Sequence, residues 1–202
     1  MRIVVLVSGS GTNLQAVIDA VSSGQLPVDL AAVGSDVPDC GGLERSAAAG
    51  IPTFAVPLEK GLSRRDPEEA ARVRAAWNRE LCAAVRSHSP DLVVTSGFMR
   101  ILGEEFLDGV GVPVINTHPA LLPSFPGAHA VRDALAHGVR ITGCTVHQVD
   151  AGVDTGPIIA QEAVRVRAGE DEGSLHDRIK TEERRLLVET LAGIAAGEIR
   201  LG

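Results

Sequence analysis

The first half of the chain alternates between short apolar runs and longer amphipathic segments. Arg2–Val7 is a continuous, mostly β-branched run that ends in a glycine-rich turn, and Thr12–Val21 then carries apolar residues every three or four positions. This order predicts a buried strand, a turn and a helix. The same order of strand and helix returns three times and is followed by one more strand. It predicts strands at Val28–Val33, Pro52–Val56, Asp91–Thr95 and Val112–Asn116, and helices at Gly42–Ala49, Asp66–Ser87 and near Ile101–Leu107.

After Asn116 the pattern becomes less regular, because a proline-rich loop follows and the apolar runs lengthen. A final long helix is predicted at Ser174–Ala195, packed back on the sheet and capped by Ser174 and Asp177. Between these lie a helix at Ala130–Ala136 and strands at Thr142–Val149 and Pro157–Val166. Continuous apolar strands separated by helices are typical of a parallel sheet covered on both faces. We therefore predict one α/β domain over residues 1–202, with a mostly parallel central sheet and a less regular C-terminal half.

Composition narrows the possible partners. The net charge is −7 and aromatic residues make up 2% of the chain, so neither a basic patch nor a stacking surface for nucleic acid is expected. No apolar run is long enough for a membrane span. The three cysteines are too far apart for paired zinc ligands and fit a reducing compartment, which favours a cytoplasmic protein. They are Cys40, Cys82 and Cys144.

The turn after the first strand is a candidate phosphate site. Backbone N–H groups at the start of a helix point at one spot, and the glycines of Ser8–Asn13 allow a phosphate to approach them. Gly11, Thr12 and Asn13 are the candidate ligands. A turn that needs glycine only for its shape is an equally good explanation of this segment alone.

Two sharper nucleotide-binding motifs fit this turn less well. The dinucleotide fingerprint lacks its third glycine, because Leu14 occupies that place, although Asp36 resembles the acidic residue that binds the ribose. This weakens a nicotinamide-cofactor interpretation without removing it. A Walker P-loop is excluded because no Gly-Lys-Ser/Thr follows.

Asn116 and His118 lie two residues apart at the end of a predicted strand, so their side chains should project from one face. An amide beside an imidazole can stabilise a developing oxyanion and donate a proton. Asp154, in a loop rich in turn-forming residues, could orient the imidazole and favour its protonated form. The plainer alternatives are that Asn116 and His118 complete the turn and that Asp154 forms an Asx-turn.

Other catalytic classes find less support. Four histidines are loosely grouped in sequence, but none of them has the spacing of zinc ligand pairs, so no metal is expected. They are His118, His129, His137 and His147. A serine hydrolase is not indicated, because Ser8–Thr12 does not match the nucleophile elbow.

Several segments, in the same order along the chain, resemble the phosphoribosylglycinamide formyltransferases, folate-dependent enzymes of purine biosynthesis. These segments are Val4–Gln15, Gly97–Leu102, Asn116–Pro123, Phe125–Gly127, Gly143–His147 and Asp154–Pro157. The resemblance covers essentially the whole chain and implies a Rossmann-like formyltransferase fold. It implies an N-terminal half that binds the ribonucleotide phosphate and a C-terminal half that binds folate and carries out catalysis.

The resemblance also implies roles for individual residues. Asn116, His118 and Asp154 would form the catalytic set. The ribonucleotide would be held by Gly11, Thr12, Asn13 and Glu183, and 10-formyltetrahydrofolate by Arg74, Met99, Arg100, Ile101, Leu102 and Asn116. From the residues alone, Lys180 with Glu183 would instead be a surface ion pair, and Arg74 an exposed helix charge.

The expected reaction is transfer of a formyl group from 10-formyltetrahydrofolate to the amine of glycinamide ribonucleotide. Both partners are small molecules, no metal is required, and the protein is expected to be a monomer or a homodimer. Two alternatives stay open. A deformylase would use the same Asn, His and Asp set with water as acceptor, and a non-enzymatic nucleotide-binding module would leave that set unexplained.

Overall fold

The structure is a computed structural model that describes residues 1–201, apart from the side chain of Ser63. The described elements are, in chain order, β1 (Arg2–Val7), α1 (Thr12–Ser22), β2 (Asp29–Ser35), α2 (Gly41–Ala48), β3 (Thr53–Ala55), a 3-10 turn (Leu62–Arg64), α3 (Pro67–Arg86), β4 (Leu92–Thr95), α4 (Glu104–Val110), β5 (Val114–His118), α5 (Ala130–His137), β6 (Ile141–Gln148), β7 (Ile158–Arg165) and α6 (Glu172–Ala195).

These elements form two compact units. Unit 1 contains Met1–Thr12 and Asp29–Val114, and unit 2 contains Asn13–Val28 and Ile115 to the end of the described chain. The prediction of one domain over residues 1–202 stays a prediction. In the part of the chain that the structure describes, no helix is both long and apolar enough to cross a membrane.

Unit 1 is built on four parallel strands in the order β3-β2-β1-β4. The central strand β1 has parallel neighbours on both sides, and its residues Ile3–Leu6 are fully buried. A strand covered on both faces needs apolar residues at every position, which explains the continuous run in the sequence. The predicted parallel, helix-covered arrangement is confirmed.

Unit 2 carries an antiparallel arrangement, in which β6 pairs with β5 on one side and β7 on the other. The register places Asn116 opposite His147 and His118 opposite Thr145. Helix α6 lies against β6 and β7 and buries one apolar face, as predicted. Its buried apolar side chains are Leu175, Ile179, Leu186, Leu187, Val188 and Leu191. The reversal of strand direction explains why the sequence rhythm becomes less regular after Asn116.

Two local predictions are wrong. The short helix expected near Ile101–Leu107 begins at Glu104, because Ile101 is exposed and does not contribute to an apolar helix face. The last helix begins at Glu172, and its cap is Asp171, whose carboxylate accepts a hydrogen bond from the Ser174 amide at 2.9 Å. The carboxylate three residues before that amide takes the capping position predicted for Ser174 and Asp177.

Candidate active site

The Ser8–Gly11 turn connects β1 to α1 and has little conformational freedom. Gly11 has φ of +69°, and a Cβ atom there would lie 2.5 Å from the Cα of Gly42. The amide of Gly42 donates to the Gly9 carbonyl at 3.0 Å, and Arg45 Nε donates to the Ser10 carbonyl at 2.8 Å. Helix α2 therefore binds the carbonyl groups of the turn, and the first N–H groups of α1 have no partner within their helix.

Asn13 is the second residue of α1, and its side-chain oxygen is buried without a hydrogen-bond partner among the described residues. A buried unpaired acceptor costs free energy unless a ligand or water donates to it. Gly11 and Thr12 belong to unit 1, whereas Asn13 begins a segment of unit 2. The assignment of these residues to the phosphate stays a prediction.

Asp36 follows β2, and its side chain is only 1% exposed. Its carboxylate accepts hydrogen bonds from Ser8 Oγ at 2.5 Å and from Arg100 Nε at 2.6 Å. Because both oxygens are already bonded within the protein, this carboxylate is poorly placed to bind the hydroxyls of a ribose. The structure thus disfavours the nicotinamide-cofactor alternative.

The Met99–Leu102 segment follows β4 and has neither helical nor strand structure. Met99 and Ile101 are 70% and 61% exposed, whereas Leu102 is buried. Exposed apolar side chains on a fixed backbone suit a flat, partly apolar ligand. Arg74 lies in α3 with an exposed side chain. These residues lie in unit 1, and their predicted contacts to folate stay predictions.

The structure brings Asn116, His118 and Asp154 together in unit 2, and it adds His147. Asn116 Nδ2 lies 3.2 Å from His147 Nε2. Asp154 lies between the two imidazoles, with Oδ2 at 3.4 Å from His118 Nδ1 and Oδ1 at 3.6 Å from His147 Nε2. The side chains predicted to form the catalytic set are therefore close enough to act as one group.

Backbone carbonyls fix both imidazole rings. His118 Nε2 lies 2.8 Å from the Phe125 carbonyl, and His147 Nδ1 lies 2.8 Å from the Gln148 carbonyl. A carbonyl only accepts, so these two ring nitrogens carry the hydrogens. The other nitrogen of each ring faces Asp154 and donates to this carboxylate when it also carries a hydrogen.

Two residues near the cluster have left-handed backbone conformations, Phe125 with φ of +56° and Asp154 with φ of +54°. Such conformations are uncommon for residues other than glycine and concentrate at functional sites. Phe125 supplies the carbonyl that holds His118, and the Gly127 amide donates to Asp154 Oδ2 at 2.8 Å. The proline-rich loop after β5 therefore positions both members of the His118–Asp154 pair.

Asp154 has a pKa below its ordinary value. The largest cause is the hydrogen bond from His147, followed by burial, which opposes the shift, and by the Gly127 amide and the histidine charges. Asp154 is therefore ionised at neutral pH. An ionised carboxylate between two imidazoles stabilises a proton on either ring, which acid–base chemistry at this point requires.

The surface ion pair considered for Lys180 and Glu183 is not formed. Glu183 is 5% exposed, so it is not a surface residue, and Lys180 Nζ lies 3.9 Å from Asp177 instead. A buried carboxylate rarely serves stability alone, so this finding favours a functional role for Glu183. Its contact to the substrate stays a prediction.

His147 is the residue of this cluster that sequence reasoning left without a role. The signal that could have found it is the antiparallel pairing of β5 and β6, which sets Asn116 opposite His147. His147 is 2% exposed, and its ring contacts two of the three predicted catalytic residues. Over the described residues, no group of three or more His, Cys, Asp or Glu side chains is arranged to hold a metal ion.

Comparison with known proteins identifies the family of the chain. Residues 1–191 match the model of a family described as formyl transferase. The chain is 50% identical over 194 residues to a phosphoribosylglycinamide formyltransferase of Mycobacterium tuberculosis, covering 96% of this chain and 85% of the relative. It is 38% identical over 201 residues to the Escherichia coli K12 protein of that name, covering 100% of this chain and 90% of the relative.

The fold of the chain also resembles that of a solved structure of similar sequence. A crystal structure of glycinamide ribonucleotide transformylase 1 from Symbiobacterium toebii superposes with a TM-score of 0.88 at 40% identity. The match covers 100% of this chain and 91% of that one. The family model, the sequence relatives and the superposition all extend over both units, including the Asn116 cluster and the glycine turn. This chain therefore belongs to the formyl transferase family.

Proposed function

We propose that the chain transfers the formyl group of 10-formyltetrahydrofolate to the amine of glycinamide ribonucleotide. The products are formylglycinamide ribonucleotide and tetrahydrofolate, in purine biosynthesis. The observation that carries this proposal is the cluster of Asn116, His118, His147 and Asp154, whose polar atoms lie within 3.2–3.6 Å of a neighbour in the set. Relatives that are similar over nearly the whole chain bear the name of this activity.

In the proposed reaction the amine nitrogen attacks the formyl carbon and a tetrahedral intermediate forms. The bond to the folate nitrogen then breaks, and a proton passes from the amine to that nitrogen. Asn116 donates to the oxyanion through its amide nitrogen, which also lies 3.2 Å from His147 Nε2. His118 Nε2 provides a second donor when the substrate oxygen replaces the Phe125 carbonyl as its acceptor.

Asp154 keeps a proton on His118 and accepts and returns protons through water. Its ionisation at neutral pH suits this task, since a neutral carboxyl group would not stabilise a charged imidazole. His147 orients Asn116 and holds the second oxygen of Asp154. These roles need no metal ion.

The substrates are assigned to the remaining predicted residues. Gly11, Thr12 and Asn13 bind the phosphate of the ribonucleotide at the start of α1, and the carboxylate of Glu183 contacts its glycinamide part. For the formyl donor, the exposed Arg74 pairs with a carboxylate of the folate tail. The segment Met99–Leu102 covers the pterin ring with apolar side chains and backbone groups.

The test is an absorbance assay of formyl loss from a 10-formylfolate donor, with and without glycinamide ribonucleotide. The proposal expects loss only when the ribonucleotide is present, and formylated ribonucleotide as product by mass spectrometry. Glycinamide riboside, which lacks the phosphate, is the matched control and should react far more slowly. Equal loss without any acceptor would establish a deformylase instead.

A further inference from the structure

A network of polar bonds in unit 1 joins two segments that are assigned to different substrates. Asp36 lies at its centre, with one carboxylate oxygen bonded to Ser8 of the glycine turn and the other to Arg100. Its side chain is 1% exposed, and that of Arg100 is 37% exposed. A buried carboxylate needs both bonds, because leaving either oxygen unpaired is costly.

Ser8 is the second junction of the network. Its hydroxyl donates to Asp36 and accepts a hydrogen bond from the Met99 amide at 2.8 Å. Its own amide donates to the Gly97 carbonyl at 3.1 Å. One residue of the turn therefore fixes two backbone groups of the segment Gly97–Gly103.

Two apolar side chains of this segment, Met99 and Ile101, are mostly exposed and do little to hold it, whereas the half-buried Phe98 stacks on Trp77. Its C-terminal end is anchored by the buried Leu102 and by the Gly103 amide, which donates to Asn78 Oδ1 at 3.0 Å. The N-terminal end is held by the Phe98 ring and by the bonds to Ser8 and Asp36. Loss of those bonds would thus loosen the backbone at Met99 and leave the C-terminal end in place.

We propose that Asp36 is a positioning residue for the formyl donor, which acts through Ser8 and Arg100 and couples ligand binding at the turn to donor affinity. This inference rests on the proposed function and specifies how its two substrate segments communicate. A ligand at the turn orders Ser8, and Ser8 in turn orders the Met99 backbone. The second ligand then has less freedom to remove, and by linkage the effect is the same in either order.

The first test compares Asp36→Asn with Asp39→Asn, an exposed carboxylate of the same loop. Asp36→Asn keeps the size of the side chain but removes the negative charge and one of the two oxygens that accept from Ser8 and Arg100. The expected result is a roughly tenfold rise in KM for the donor with kcat within about threefold, whereas Asp39→Asn matches the wild type. Adding Arg100→Gln to Asp36→Asn should raise the KM for the donor little further, because both substitutions remove the same ion pair between Asp36 and Arg100.

A second readout does not require catalysis. The only tryptophan, Trp77, has its ring parallel to that of Phe98 in this segment, at a centroid distance of 6.4 Å. Titration with glycinamide ribonucleotide should therefore change the Trp77 emission of the wild type. In Ser8→Ala, which is a small change, calorimetry should still detect the ribonucleotide while the emission change is lost.

Each result decides between distinct claims. The inference would be overturned if the donor KM of Asp36→Asn equalled that of Asp39→Asn. It would also be overturned if the change in Trp77 emission were undiminished in Ser8→Ala. A wild type that transfers no formyl group would overturn the proposed function instead, and the fluorescence titration would still test the network. Far-UV circular dichroism and melting curves establish that the compared variants are folded.

Discussion

In the Ser8–Gly11 turn the proposed binding groups belong to the backbone, whereas in the Asn116 cluster they belong to side chains. The turn is shaped by a glycine that tolerates no Cβ and by bonds from α2 to its carbonyl groups. The cluster consists of four polar side chains, two of them held by backbone carbonyls. A backbone site should recognise a phosphate without taking part in chemistry, while the cluster should change protonation during the reaction. The comparison therefore predicts that binding and turnover can be separated by mutation.

The largest expected effect is on turnover. Asn116→Ala removes the proposed oxyanion donor and should lower kcat by roughly 100- to 1,000-fold. His118→Ala should lower kcat by a similar factor. Steady-state kinetics at saturating substrates measure the effect, and His88→Ala, a histidine of unit 1 whose ring stacks on Phe54, is the control. Turnover near that of the wild type in either cluster variant would remove the basis of the catalytic assignment.

The next largest effect is expected for a substitution in the turn. Gly11 has a left-handed backbone conformation, and Gly11→Ala would place a Cβ atom 2.5 Å from the Cα of Gly42. Gly24 is also left-handed, with φ of +78°, but the Cβ atom of Gly24→Ala would meet nothing within 4 Å. Gly24→Ala should cost about 1–2 kcal/mol of stability. Gly11→Ala should cost more and should also raise the KM for the ribonucleotide at least tenfold. Equal losses of stability in urea unfolding would show that α2 does not constrain the turn.

A smaller effect is expected from His147, which positions Asn116 without being assigned a reacting atom. His147→Ala should lower kcat about tenfold, since it leaves Asn116 and Asp154 each without one partner. His147→Gln should recover part of the rate, because a glutamine amide can both accept and donate hydrogen bonds and so can bond to Asn116 and Asp154. Equal rates in the two variants would contradict the positioning role, because the amide of Gln would then restore nothing that His147 supplies.

Acid stability tests the charge on Asp154. Its pKa is lowered from 3.8 by the fold, so the unfolded chain binds this proton more tightly. Its contribution to stability is present above about pH 3.8 and is lost as pH falls through the lower folded pKa. Asp154→Asn should flatten this part of the curve of unfolding free energy against pH, and Asp39→Asn should not. An unchanged acid slope in Asp154→Asn would contradict the shift.

The smallest effect concerns a thiol outside both regions. Burial and the charges of Glu183, Glu162 and Glu182 raise the pKa of Cys144 to about 12. Because the thiolate is the reactive form, Cys144 of the native protein should stay unlabelled by iodoacetamide at pH 8. The unfolded protein should be labelled at Cys144, which peptide mass spectrometry can verify. Labelling in the native state would show that this strand opens.

The sequence predicted the turn better than the cluster, for a physical reason. The turn is local, since β1, the glycines and α1 follow one another and their periodicity is visible in the chain. Within the predicted set, Asn116 and Asp154 lie 38 positions apart in the sequence. The distances among Asn116, His118 and Asp154 depend on the antiparallel pairing of β5 with β6 and on the left-handed conformation of Asp154. No pattern along the chain contains that information.

The same reason explains the individual misses. His147 acquires its place from strand register, and Glu183 from the burial of one face of α6. The start of α4 was misplaced because the apolar Ile101 is exposed rather than packed. Asp36 looked like a ribose ligand until its bonds to Ser8 and Arg100 were visible. The contacts that place His147 and Asp36 join residues far apart in sequence, and the exposure of Ile101 and the burial of Glu183 depend on the fold around them.

The central claim is that the turn binds the substrate and the Asn116 cluster carries out the reaction. Its most direct test is the dissociation constant of glycinamide ribonucleotide for Asn116→Ala, measured by calorimetry. The account predicts a value within about threefold of the wild type, even though turnover falls by at least 100-fold, because the phosphate is bound by the turn. A dissociation constant that rises in proportion to the loss of turnover would contradict it. That result would mean that Asn116 holds the substrate rather than stabilising the reacting oxygen.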